Sequence, residues 1–186
     1  SDLILGAVFL VLYLRLVRGV SPVAALGLGT LSIGKVIKWG LVTAVVGFVA
    51  TQGVTWAVYQ VLLGQPQPQE TDQQVVQTFK HAGQGTLRMA LFVLCSVVVP
   101  LSEELLYRGF IFGIAKYFAG RWPAIIFSSA IFALAHENAM AALPLFVLGV
   151  GFALSYERSR CLWVPVVAHS VFNLWNLLAL ALGAGQ

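Results

Sequence analysis

The sequence predicts an all-α, polytopic transmembrane bundle of about six membrane segments. Three observations carry this. Hydrophobic residues make up 59% of the 186 and charged residues only 10%, against roughly 25% charged in a soluble domain. So few charges cannot cover the surface of a water-soluble protein of this size, so the solvent is a bilayer. In lipid every backbone N–H and C=O must be satisfied internally, which leaves helices or a closed barrel. A barrel needs strict apolar/polar alternation in short segments, whereas this chain shows long unbroken apolar runs, the pattern of helices.

Taken in order, residues 3–17 form a short first span, with Arg15 placed to snorkel to the interface. No basic stretch precedes it and no small-residue cleavage site follows, so it reads as a span and not a signal peptide. Residues 18–38 carry Gly and Ser-Pro punctuation and form a connector with room for an interfacial helix. Residues 40–63 are a full-length span, and 64–85 are the one clearly polar loop. Residues 86–118 are too long for one simple span, with a kink or division expected at Pro100. Residues 124–136 form a short helix after Trp122-Pro123. Residues 141–156 form another, with Pro144 in its first turn, and 164–182 close the chain. The whole, 1–186, is one membrane domain, without a visible internal repeat.

Six alternating crossings place Arg15, Arg18, Lys35, Lys38, Lys116, Arg121, Arg158 and Arg160 on one side. Lys80 and Arg88 fall on the other, with Glu70, Asp72 and Glu137. Lys and Arg are enriched in cytoplasmic loops, so the first side is expected to be cytoplasmic, with both termini outward. The net charge of +4 then reflects orientation; no nucleic-acid partner is expected, because basic clusters with interleaved aromatics are absent. Cys95 and Cys161 fit neither a disulfide framework nor a zinc spacing.

Glu103, Glu104, Arg108, His136, His169 and Asn173 stand where an ordinary span has Leu or Val. Buried charge is expensive in a membrane, at least about 2.5–3.5 kcal/mol at a helix centre, and marks function by default. Glu104 and Arg108 are four apart and share a helical face. Glu103 is turned away by roughly 140°. Arg108 therefore neutralises Glu104 and leaves Glu103 facing elsewhere. His169 and Asn173 repeat the four-residue spacing, as do Phe132 and His136. A carboxylate with an imidazole can take a proton from water. An imidazole and an amide can donate to an oxyanion. These are the parts for peptide hydrolysis without a covalent intermediate. No serine sits in a G-x-S-x-G turn. The only His-Glu pair, His136-Glu137, has Met140 where a zinc protease needs its second His.

Glu103-Glu104-Leu105-Leu106-Tyr107-Arg108 is an E-E-x-x-x-R motif, Phe132 to His136 an F-x-x-x-H motif and His169 to Asn173 an H-x-x-x-N motif. In these, their order and their spacing, the chain resembles the CPBP family, the CAAX proteases and bacteriocin-processing (Abi) proteins, over roughly residues 86–178. The resemblance implies an all-α intramembrane glutamic endopeptidase with that stretch as catalytic core and a cavity open to the cytoplasm. It implies that Glu103 and His136 activate water, that His169 and Asn173 form the oxyanion site, and that Glu104 and Arg108 support them. No cofactor or metal is expected. The partners are a peptide or membrane-protein substrate and the lipid bilayer.

Rival readings are a non-proteolytic scaffold, assembly or immunity protein of the same fold, and a transporter or proton path, which would show paired broken-helix repeats. Asn138 and Asn176 read as cap or interhelical polars, His81, Glu70 and Asp72 as loop residues, and the tryptophans as interface anchors or packing. With straight helices, His136 and His169 lie near opposite ends of their segments. They meet only if the helix at 124–136 is short or steeply tilted.

Overall fold

In the computed structural model the described residues are 19–62 and 85–181, with Gly6, Val11, Arg15, Leu16 and Gly64 besides. Most of the expected first span and almost all of the polar loop, including His81, Glu70, Asp72 and Lys80, lie outside them. The regular structure of the described residues is all helical, without a strand. A single turn, α1, covers Pro22–Ala25. Helix α2 spans Ile33–Ala57 and runs on with π geometry over Val58–Leu62. Helix α3 is continuous over Thr86–Ala119. Arg121–Leu134 form α4, Ala142–Ser159 form α5 and Trp163–Ala181 form α6.

Boundaries differ from the sequence reading, most of all in α2 and α3; α4 also starts at Arg121, with Trp122-Pro123 inside it, and ends at Leu134, which leaves His136 in the turn beyond. Helix α2 starts seven residues before 40, after Ser32 in extended conformation. The two lysines of its first turns are exposed, so the helix emerges from the apolar layer without ending. Helix α3 does not divide at Pro100. Proline lacks a backbone N–H and crowds the preceding turn. The helix absorbs this by widening into a π stretch over Leu94–Val98 just ahead of it. A second π stretch, Leu105–Ile111, follows the glutamates. Such widenings are rare and recur at functional sites. The reversal from α3 to α4 turns on Gly120 at φ 82°, a conformation that glycine alone adopts freely.

The surface is inverted relative to a soluble protein. Helix α2 exposes Val45, Val46 and Val49, each above 60%. Leu87, Met89, Ile126, Phe127, Leu134, Trp175 and Leu178 are also exposed. Inside lie Ser102, Glu103, Glu104, Arg108, Ser128, Ser129 and His169. A continuous apolar exterior around a polar interior is stable in lipid and not in water. The helices Ile33–Val61 and Thr86–Ala119 are each long and apolar enough to cross a membrane. The chain is an all-α membrane helical bundle.

Helix α4 packs on α5 and on the end of α3, and α2 packs on α5 and α6. The core joins Tyr107, Phe132, Leu148, Phe152, Ala168 and Ala44. The connector between α1 and α2 docks on the turn between α5 and α6: Leu162 N–H donates to the Leu26 carbonyl at 3.1 Å, and Thr30 Oγ1 donates to the Arg160 carbonyl at 3.2 Å. At this end of the bundle, Lys116 Nζ reaches Glu157 Oε2 at 2.6 Å. Lys35, Lys38, Arg121, Arg158 and Arg160 share that end. Asn138 Oδ1 accepts from the N–H groups of Met140 and Ala141 at 3.1 and 3.0 Å, closing the turn that leads into α5.

Candidate active site

Glu104 is the hub of a polar cluster sealed inside the bundle. Its Oε1 accepts from Arg108 Nη1 at 3.0 Å and from His169 Nδ1 at 2.9 Å. The four-residue spacing on α3 brings Arg108 back to Glu104, and the side chains of both are fully buried. Arg108 Nη2 donates in turn to the Gly149 carbonyl on α5 at 2.9 Å. Its guanidinium lies over Phe132 at 4.8 Å and Phe152 at 5.3 Å, where ring faces add favourable electrostatics for a desolvated cation. A buried charge needs this density of partners to offset its lost hydration.

Glu103, one residue earlier, takes no part in the Arg108 pair. Its Oε2 is buried without a hydrogen-bond partner and lies 3.7 Å from His169 Nε2. His169 thus stands between two carboxylates. Because Nδ1 faces a carboxylate oxygen, it is the N–H edge, and Nε2 is the edge turned to Glu103. Phe152 stacks on the imidazole, with centroids 5.0 Å apart and planes at 27°.

His136 and Asn173 stand further out. His136, half-buried in the turn just past α4, bonds through Nδ1 to the carbonyl of Phe132 in that helix at 2.8 Å. It meets the cluster through the Phe132 ring, whose centroid lies 4.8 Å from His136 and 5.8 Å from His169. The short α4 therefore brings both imidazoles against one ring, although straight helices would hold them at different depths. Asn173 Nδ2 donates to the carbonyl of Cys95 at 2.9 Å, within the first π stretch of α3. The imidazole beside Glu103 is that of His169, whereas His136 does not touch it. Among the described residues, no three His, Cys, Asp or Glu side chains form a metal-holding group.

Sequence reasoning missed three contributors. The Gly149 and Cys95 carbonyls are backbone groups with no signature in the residue letters. Phe152 is one apolar ring in an apolar helix. The close approach of α5 was faintly signalled by Gly149: a Cβ there would sit 3.1 Å from Ser129 Cβ and 3.2 Å from Phe132 Cδ1.

Residues 85–175, which contain every site residue above, match the family described as type II CAAX prenyl endopeptidase Rce1-like. The match is with the CAAX-protease family that the three motifs resemble. Among curated relatives, "Putative membrane peptidase YdiL" of Bacillus subtilis (strain 168) is 29% identical over 150 residues, 79% of this chain and 57% of its own length. "Membrane-embedded CAAX protease MroQ" of Staphylococcus aureus (strain USA300) is 28% identical over 145 residues, 74% of this chain and 56% of its own. "UPF0177 protein YxdF" of Lactococcus lactis subsp. lactis (strain IL1403) is 33% identical over 87 residues, 46% of this chain and 48% of its own. The chain spans about half the length of the curated relatives it matches. No solved structure matches it. In this Rce1-like segment, the first and third motifs meet directly at Glu104 and His169, and the second joins them through Phe132.

Proposed function

We propose that this chain is a multi-pass, metal-independent intramembrane endopeptidase of the glutamic type. Residues 86–178 act as its catalytic core within a single membrane domain. The observation that carries this is the unpaired, buried Oε2 of Glu103 beside an imidazole held by a second carboxylate. Glu103 removes a proton from water as its oxygen attacks the scissile carbonyl, and later returns it to the leaving amine. The developing oxyanion is met by donors. The His169 Nε2 edge faces the same space as Glu103 and donates there when it carries a proton. Asn173 has a second amide hydrogen beyond the one given to Cys95. His136, half-buried against Phe132, assists Glu103 in orienting water. Glu104 and Arg108 hold His169 and supply the counter-charge.

Donor chemistry supports the metal-independent form. The third-motif partner of His169 is Asn173, an amide and a poor zinc ligand. The basic end of the bundle faces the cytoplasm in this reading, and the substrate is a peptide or membrane protein reaching the site within the bilayer.

A second reading, a non-proteolytic scaffold, assembly or immunity protein, draws on one observation. Asn173 and His136 both satisfy themselves on backbone carbonyls, away from Glu103. The deciding experiment compares new peptide termini in membranes of cells carrying the wild type or Glu103→Gln. Termini that vanish with Glu103→Gln support the protease. An unchanged terminus profile, together with a retained cellular phenotype, supports the scaffold.

A further inference from the structure

The E-E-x-x-x-R, F-x-x-x-H and H-x-x-x-N motifs lie on α3, on α4 with the turn after it, and on α6, yet α5 forms a wall of the same cluster. Helix α5 carries no titratable residue at the site. It contributes one backbone carbonyl and one ring, three residues apart and therefore on one helical face. The carbonyl of Gly149 takes Arg108 Nη2 at 2.9 Å. The ring of Phe152, wholly buried, covers Arg108 at 5.3 Å and lies against His169 at 5.0 Å and 27°.

Phe152 therefore touches both groups that converge on Glu104. A single hydrogen bond does not fix an imidazole. The terminal torsion of histidine is broad and roughly two-fold, and a half-turn about it exchanges Nδ1 for a carbon at Glu104. A flat ring lying nearly parallel to the imidazole removes that freedom, because tilting or turning drives ring atoms into the stacked face. Phe132 meets His169 edge-on at 81° and closes the neighbouring side.

We propose that Phe152 is a positioning residue: it holds the His169 ring so that Nδ1 stays on Glu104 and Nε2 stays turned to Glu103. The catalytic consequence rests on the protease reading above; the tautomer consequence does not. A misplaced imidazole lowers turnover without weakening the grip on substrate. Phe152→Leu is therefore expected to reduce kcat on the order of tenfold to a hundredfold while KM holds.

The test reads the imidazole directly. The chain contains three histidines, so nitrogen NMR of histidine-labelled protein in lipid nanodiscs gives three resolvable rings, assigned by single substitution. Wild type is expected to show His169 locked with the proton on Nδ1, its two nitrogen shifts far apart. In Phe152→Leu those shifts move toward each other as the ring gains freedom, while His136 keeps its pattern. Leu148→Ala serves as the control, since Leu148 is an equally buried core residue of α5 without a ring on His169. If Phe152→Leu does not fold, Phe152→Met, which fills irregular space without a planar face, is read in the same way. A change in the Phe152 variant and not in the control sustains the proposal. Averaged shifts already in wild type, unchanged shifts in the Phe152 variant, or the same change in both variants would overturn it. A chain that cleaves nothing yet passes this test refutes the protease reading alone.

Discussion

Glu104 Oε1 and His169 Nδ1 lie 2.9 Å apart across 65 residues of sequence. The same oxygen takes Arg108 at 3.0 Å. One carboxylate oxygen thus ties α3 to α6 and neutralises the cation that reaches α5. Its loss and the loss of Arg108 therefore differ in kind.

Arg108→Met is expected to lower folded yield and melting temperature more than it alters the chemistry of protein that does fold. Removing one partner of a buried pair leaves an uncompensated charge, typically about 3–5 kcal/mol. Adding Glu104→Gln removes that charge and should recover part of the loss. Recovery stays partial, because the Gly149 carbonyl has lost its donor and His169 now faces an amide. Normal yield and melting temperature for Arg108→Met alone would refute the pairing as a stabilising element.

Adjacent glutamates should separate stability from catalysis. Glu103 Oε2 makes no hydrogen bond in the folded protein, so Glu103→Gln is expected to leave the melting temperature close to wild type. As the proposed general base, its loss should slow peptide cleavage by at least roughly 10²–10⁴-fold. Glu104→Gln should lower both. Paired thermal melts and single-turnover assays check this; a Glu103→Gln protein that cleaves at the wild-type rate removes Glu103 from the mechanism.

How far the site was legible follows from what a membrane makes expensive. Glu103, Glu104, Arg108 and His169 stood out because a charge or imidazole among Leu and Val costs free energy unless it is partnered. The Glu104–Arg108 pair followed from spacing alone. Phe152 did not stand out, since a phenylalanine in an apolar helix is the unmarked choice. Nor did the carbonyls of Gly149 and Cys95, which any residue possesses. The all-α bundle was legible from composition, but the boundaries of α2 and α3 were not. Lys35 and Lys38 look like the end of an apolar segment although the helix continues past them. Pro100 looks like a break, although π widening keeps the helix continuous.

The docking of the connector on the α5–α6 turn depends on Gly27. It sits at φ +66°, and a Cβ there would overlap the Arg160 carbonyl. Gly27→Ala meets both a backbone penalty and a clash, and should cost about 1–3 kcal/mol. The local readout is faster amide exchange at Leu162, whose N–H donates to Leu26, with exchange in the middle of α3 little changed. Protection of Leu162 equal to wild type would show that the connector does not need this contact.

The remaining expectation concerns metal. Two glutamates and two histidines near one another invite a zinc assignment, and catalytic zinc takes three protein ligands at about 2.0–2.2 Å with one open position. Glu103, His136 and His169 are the candidate set. Two features oppose it. His136 packs on the Phe132 ring at 4.8 Å, whereas the imidazole that approaches Glu103 is that of His169. His169 shares its helical face with Asn173, an amide suited to an oxyanion and a poor zinc ligand. Purified protein is therefore expected to contain no stoichiometric zinc, and the proposed peptidase activity should survive a non-stripping chelator control after detergent exchange. His169→Ala and Asn173→Ala should lower kcat while leaving substrate binding largely intact, because they act on the transition state. One tightly bound zinc per chain by elemental analysis, lost together with activity in His136→Ala, would make the enzyme a metalloprotease and require His136 to swing past Phe132 toward Glu103.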